Sequence, residues 1–108
     1  TNIDSFVMNL SGGNQQKVVI AKWLAKKCKI LLFDEPTRGI DVAAKAQIWE
    51  LISEFTLAGG SVIVASNEIP ELINNCNRII TMQKGLISNT FNYEDFNEQK
   101  ISLNISSK

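Results

Sequence analysis

Histidine is absent from the 108 residues. Its absence removes the commonest general base and the commonest zinc ligand, so any catalysis rests on carboxylates, hydroxyls, amides or a bound ion. Cysteine is scarce: Cys28 and Cys76 stand far apart and form no CxxC pair, which fits reduced thiols used for packing. Neither sign of charge prevails. Eleven basic and eleven acidic side chains cancel, leaving no electrostatic footprint for nucleic acid or anionic lipid. No apolar run comes near the ~20 residues of a membrane helix, and the polar opening Thr1-Asn2-Ile3-Asp4 does not read as a secretory leader. Internal repeats are missing as well. The phosphate-cradling pattern G-x-x-x-x-G-K-[ST] occurs nowhere.

What remains is an ordinary apolar-to-charged balance arranged in short alternating patterns. Three runs rich in β-branched residues read as buried strands: Ile30–Phe33, Ser61–Ala65 and Arg78–Met82. Helical spacing fills the intervals. Residues 15–27 carry Val19/Trp23 and Ile20/Leu24 at i,i+4, and residues 42–57 set Ile48, Leu51, Ile52 and Phe55 on one face until Gly59-Gly60 stops them. A shorter helix spans residues 69–75, with Pro70 suited to its first turn. The alternation predicts an α/β fold with right-handed βαβ units and one parallel sheet. Gln83-Lys84-Gly85 reads as a hairpin turn into a short edge strand over residues 86–88, giving a short C-terminal hairpin. A helix over residues 93–100 and a frayed end close the chain.

Such sheets present their chemistry at the C-terminal strand ends, and two ends here are loaded. The first strand delivers Asp34-Glu35, where one carboxylate can hold Mg²⁺, usually through water, and the other can orient or deprotonate a water. The second delivers Ser66-Asn67-Glu68. Ahead of both, Leu10-Ser11-Gly12-Gly13-Asn14-Gln15-Gln16 opens a helix with free backbone N–H groups, a hydroxyl and two missing Cβ atoms, a design that suits a phosphate. Each motif also has a plainer reading. Ser11 or Asn14 can simply cap the first helix, Asp41 the second, and Ser66 or Asn67 the third; Asp34-Glu35 can be a solvated loop.

Taken together the motifs resemble the ATP-binding cassette (ABC) ATPases. Residues 10–16 resemble the LSGGQ signature and Ile30–Glu35 a Walker B strand continued by Pro36-Thr37. Arg38-Gly39-Ile40-Asp41 resembles the D-loop. The likeness runs over roughly residues 1–92, with 93–108 an extension. It is nearest to the second ATPase half of the duplicated-cassette subunit of monosaccharide importers, on Gly13–Lys17, Pro36–Val42 and the Ser66-to-Leu72 stretch. The resemblance implies a partial P-loop NTPase fold whose Walker A half is missing, and ATP and Mg²⁺ as cofactors. It implies Asp34 as the magnesium-side carboxylate and Glu35 as the catalytic one. Ser11, Gly12, Gly13 and Gln15 would grip ATP held by an opposing cassette, and Asp41 would reach across to that cassette. Most ABC ATPases place a histidine where Asn67 stands, and an amide can donate a hydrogen bond but carries no proton or charge at neutral pH.

The implied partners are a second nucleotide-binding domain, membrane permease subunits and, through them, a sugar-binding protein, with the chain at the cytoplasmic face of the membrane and no nucleic acid. Without its Walker A half the chain reads as a piece of a longer protein, inactive by itself and prone to self-association. Two rivals stand beside this reading: a non-catalytic interaction module, and an ABC ATPase not tied to transport.

Overall fold

A run of apolar residues ended by a carboxylate forms strand β1 (Ile30–Asp34), which lies parallel to β2 (Ser61–Ala65) in the register Ile30↔Ser61 to Asp34↔Ala65. The computed structural model describes residues 12–26 and 28–105, and the chain divides into two compact units, Thr1–Ala65 and Ser66–Lys108.

In the first unit, helices α1 (Gly12–Leu24) and α2 (Val42–Leu57) pack on each other, and α2 also packs on β2. Ala44, Ile48, Trp49 and Ile52 are buried, the i, i+4, i+5, i+8 spacing of one helical face. Leu51 and Phe55, expected on that face, lie at its half-buried margin. Ile20 and Ile48 are fully buried, each contributing roughly 1.5–3 kcal/mol. Of the two ridges expected on α1, only Ile20/Leu24 turns inward. Val19 and Trp23 are exposed, with the Lys26 ammonium 4.4 Å above the Trp23 ring.

The strands are covered on one face only, which corrects the expectation of fully buried strands. Leu31 is buried and Phe33, Val62 and Val64 are half-buried, while Ile30 (65%), Leu32 (69%) and Ile63 (59%) stay exposed on the alternate positions. A parallel pair needs helices on both faces to hide both sets of side chains, and the packed elements supply one layer.

Helix α2 ends where its glycines begin. The Gly60 N–H donates to Phe55 O at 3.1 Å and the Gly59 N–H to Thr56 O at 3.0 Å, the paired bonds of a Schellman cap, with Gly59 at φ +106°. A Cβ on Gly60 would sit 2.2 Å from the Phe55 ring. Both glycines are therefore required, one for its backbone and one for its missing side chain.

The second unit starts with α3 (Ile69–Asn75), with Pro70 in its first turn as expected, and ends the helix at Cys76. Strand β3 (Arg78–Gln83), expected both in the parallel sheet and as the first arm of a hairpin, has no parallel neighbour among the described residues and forms the hairpin. It pairs antiparallel with β4 (Leu86–Asn92) in a separate two-stranded sheet, across a turn whose Lys84 and Gly85 have φ +52° and +80°. Positive φ at both central residues makes the tight turn that joins adjacent antiparallel strands.

Strand β4 also runs four residues past its expected end. A register shift between Thr81 and Met82 leaves Ser88 without a partner in the ladder. That bulge breaks the apolar alternation, so Asn89 and Thr90 look like loop until Phe91 returns to the core. The displaced Ser88 hydroxyl donates to Asn104 O at 2.7 Å and lies 2.8 Å from the Thr81 hydroxyl.

The closing helix differs too. Residues Tyr93–Asp95 form a 3₁₀ turn, Phe96 is extended, and α4 runs over Glu98–Ile105. The Asn97 side chain accepts from the Lys100 N–H at 3.0 Å and so sets the start of α4, five residues later than expected. Ile101 of α4 is fully buried against the hairpin side of the unit. The frayed end lies in residues 106–108, outside the described residues.

Two expectations follow. In the full-length subunit, Gly59→Ala should speed hydrogen exchange of the last-turn amides of α2 about 5–30-fold, the equivalent of about 1–2 kcal/mol; unchanged protection would refute the cap's role. Burial first, and the Glu71 charge second, push the Cys76 thiol above its ordinary range, whereas Cys28 is exposed. A raised pKa means less thiolate at a given pH, so at pH ~8 Cys28 should alkylate on the order of tenfold faster than Cys76 by peptide mass mapping, with the Cys76 rate catching up only as pH climbs further.

Candidate functional site

The parallel ladder continues one residue beyond β1: the Glu35 N–H donates to Ala65 O at 2.7 Å. Asp34 is exposed at the strand's end and Glu35 is half-buried. A residue before proline is steered from ordinary helical geometry toward extended backbone, yet Glu35 takes φ +51°. For a side chain longer than Asn or Asp this left-handed conformation costs about 1–3 kcal/mol. The surroundings impose it. Pro36 and Thr37 are buried directly after it, the Arg38 N–H returns to Glu35 O at 3.3 Å, and the Ile40 N–H returns to Thr37 O at 3.3 Å around Gly39 at φ +72°.

The loop ends at Asp41, whose carboxylate accepts from the Ala44 N–H at 2.8 Å. The capping reading of Asp41 is therefore realised, and its exposed position leaves the side chain accessible.

The first turns of α1 press against this loop. Gly13 is buried, and a Cβ there would lie 2.7 Å from Ala44 Cβ, 3.4 Å from Ile40 Cγ2 and 3.7 Å from an Asp41 carboxylate oxygen. Its missing side chain serves packing, a role the sequence reading had not assigned. Gln16 Nε2 donates to Pro36 O at 2.9 Å, and Lys17 Nζ to Gln47 Oε1 at 2.8 Å. Helix α1 begins at Gly12, so Asn14 lies within it and is not its cap; Ser11 lies outside the described residues. Gln15 is half-buried and Asn14 exposed.

In the second unit, Ser66 Oγ accepts from the Glu68 N–H at 3.0 Å, closing a turn just ahead of α3. The cap position falls to Glu68, which makes no side-chain capping hydrogen bond, and not to Ser66 or Asn67. Asn67 is exposed.

Among the described residues no three His, Cys, Asp or Glu side chains gather as a metal cage. Two adjacent carboxylates on a strand end fit the other mode of Mg²⁺ binding, in which one or two protein oxygens are completed by phosphates and waters. Asp34 is the residue that would hold it, with Glu35 left for the water. Among the described residues, no helix is long and apolar enough to cross a membrane.

The family model described as "ABC transporter" matches residues 1–38, the stretch from before the first helix to the loop after β1. The chain belongs with the ATP-binding proteins of ABC transporters. It is 46% identical over 100 residues to the ribose import ATP-binding protein of Clostridium perfringens (strain SM101 / Type A), covering 93% of this chain and 20% of the relative. It is 47% identical over 104 residues to the galactose/methyl galactoside import ATP-binding protein of the same strain, covering 96% and 20%. The arabinose import ATP-binding protein of Pectobacterium atrosepticum is 46% identical over 98 residues, covering 91% and 19%. The chain thus spans about a fifth of the length of these relatives.

A solved ABC-transporter cassette in its ADP conformation superposes with a TM-score of 0.76 at 20% identity, over 89% of this chain and 40% of its own. A dimeric cassette in a post-hydrolysis state with ADP and Pi superposes at 0.69 and 31% identity, over 82% and 38%. The fold is accordingly a partial P-loop NTPase cassette.

Because cap and charge coincide at Asp41, substitution separates them. Asp41→Asn should keep α2 within a few tenths of a kcal/mol of wild type, and Asp41→Ala should cost about 1 kcal/mol. The check is hydrogen exchange at the α2 N-terminus; equal loss in both variants would show that the carboxylate, not the cap, stabilises the helix.

Proposed function

We propose that this chain is the catalytic C-terminal part of an ATPase subunit that powers monosaccharide import at the cytoplasmic face of a membrane. One observation carries the reading: identity of 46–47% over more than nine-tenths of the chain to import ATP-binding proteins for ribose and galactose. The unit that holds Asp34 and Glu35 also holds the first turns of α1 against the same loop, which supports two half-sites carried by one unit.

In this reading two cassettes close head to tail. Ser11, the backbone of Gly12 and Gly13, and Gln15 meet the γ-phosphate of ATP held by the opposing cassette, where free N–H groups and the helix dipole favour the anion. Asp34 and Glu35 serve the second ATP. Asp34 would hold Mg²⁺, usually through water, and the ion would neutralise phosphate charge. Glu35 orients the attacking water and takes its proton. Asp41 contacts the opposing cassette while capping α2. Asn67 takes the place of the switch histidine and offers a hydrogen bond without charge. Permease subunits couple closure to passage of the sugar, which a separate binding protein delivers.

The test is steady-state ATPase activity of the full-length subunit assembled with its permease. Glu35→Gln should lower turnover by roughly 10²–10⁴; a fall of less than threefold would remove Glu35 from the role of base. Ser11→Arg should abolish turnover by obstructing the opposing phosphate. Loss with Ser11→Arg alone would mean that this half completes the other site while its own is idle.

A further inference from the structure

We infer that Gln16 is a positioning residue for hydrolysis. Its amide ties the first turns of α1 to the loop that carries Glu35, so the phosphate-facing end of the helix and the water-activating carboxylate move as one piece. The inference rests on the functional reading above and adds a part to it that the motifs do not assign.

Proline has no N–H, so the carbonyl is the only backbone hydrogen-bonding group Pro36 has. Pro36 is fully buried and its carbonyl accepts from Gln16 Nε2 at 2.9 Å, across twenty positions of sequence. Whatever holds that carbonyl fixes the Pro36–Thr37 peptide, one residue beyond Glu35, which is held at φ +51°. The Glu35 N–H on Ala65 O and the Arg38 N–H on Glu35 O restrain the loop there from strand and loop backbone. Gln16 supplies a restraint that comes from α1. Gly13 stands three residues earlier on the same helical face, where no Cβ would fit against Ala44. The helix start is therefore pressed onto the loop at Gly13 and bonded to it at Gln16. Displacement of α1 on seating a phosphate is transmitted through that bond to Glu35.

Two variants of the full-length subunit with its permease test this. Gln16→Met removes the donor at similar volume. Gln16→Glu keeps the shape but turns a carboxylate toward the Pro36 carbonyl, and regains an O–H donor on protonation. At pH ~7.5 both should lower kcat on the order of tenfold or more, with KM for ATP within about twofold and an unchanged melting midpoint, as misplacement of a catalytic group does. Relative to wild type at each pH, the Gln16→Glu deficit should shrink as pH falls toward ~5.5, because a half-buried carboxyl facing a carbonyl titrates high. The Gln16→Met deficit should not.

Turnover within twofold of wild type in both variants overturns the inference. So does a loss that tracks a lowered melting midpoint and shows no difference in pH dependence between the two, which would make the bond merely structural. Glu35→Gln in the same preparation separates the two levels: if it retains turnover, the functional reading fails, and if it alone loses turnover, only the role of Gln16 does.

Discussion

The close approach of α1 to the start of α2 sets the geometry of everything around the loop after β1. Two small residues, Gly13 and Ala44, meet where any larger pair would force the helices apart, since even one added Cβ at Gly13 falls 2.7 Å from Ala44. At that separation Gln16 reaches the Pro36 carbonyl and Lys17 reaches Gln47. A longer interaxial distance would leave a buried carbonyl without its donor, a cost of about 1–3 kcal/mol. Packing and hydrogen bonding thus select the same arrangement, and neither would hold it as tightly without the other.

Glu35 shows what that rigidity is used for. A positive φ at a non-glycine residue persists only where its neighbours over-determine it. Here the ladder bond to Ala65, the return from Arg38, and the buried, hydrogen-bonded Pro36 supply that determination. The other non-glycine residue described at positive φ is Lys84, in a hairpin turn where the conformation follows from turn geometry. Glu35 has no such local excuse. Its conformation ends β1 abruptly and sets the carboxylate's backbone at an angle that continued strand would not give, while Asp34 keeps strand geometry beside it.

How far the sequence revealed this depended on whether the relevant signal was local. Helix α2, helix α3 and strand β2 were read at their observed bounds, because Gly59-Gly60, Pro70 and a β-branched run each mark a boundary within a residue or two. The position of Asp34 and Glu35 at the end of β1 was legible because the apolar run stops there. Strand β4 was cut short because a bulge at Ser88 interrupts alternation, and α4 was set early because Asn97 is one of several polar residues able to cap. The hairpin of β3 was legible in Gln83-Lys84-Gly85, a local turn signal, whereas its parallel pairing depends on a neighbouring strand that is not among the described residues. Gln16 and the packing of Gly13 were illegible for a different reason. Both depend on contacts twenty or more positions away, and in the sequence they stand inside a motif whose other reading, phosphate binding, already accounts for a glycine and a glutamine.

The missing histidine narrows the chemistry that remains. With no imidazole, this chain has no side chain whose ordinary pKa falls between pH 5 and 8, and the half-buried Cys76 thiol is pushed away from that range rather than into it. A proton taken from water near Glu35 must then be held by a carboxylate or passed to phosphate. A carboxylate is a weak base at neutral pH, so placement has to supply what basicity does not. On the proposed function, that would make the restraints on the loop from Glu35 to Asp41 chemically consequential: with no histidine supplied by these residues, the seat of one carboxylate would carry more of the rate, and the bonds that hold its backbone would count in catalysis.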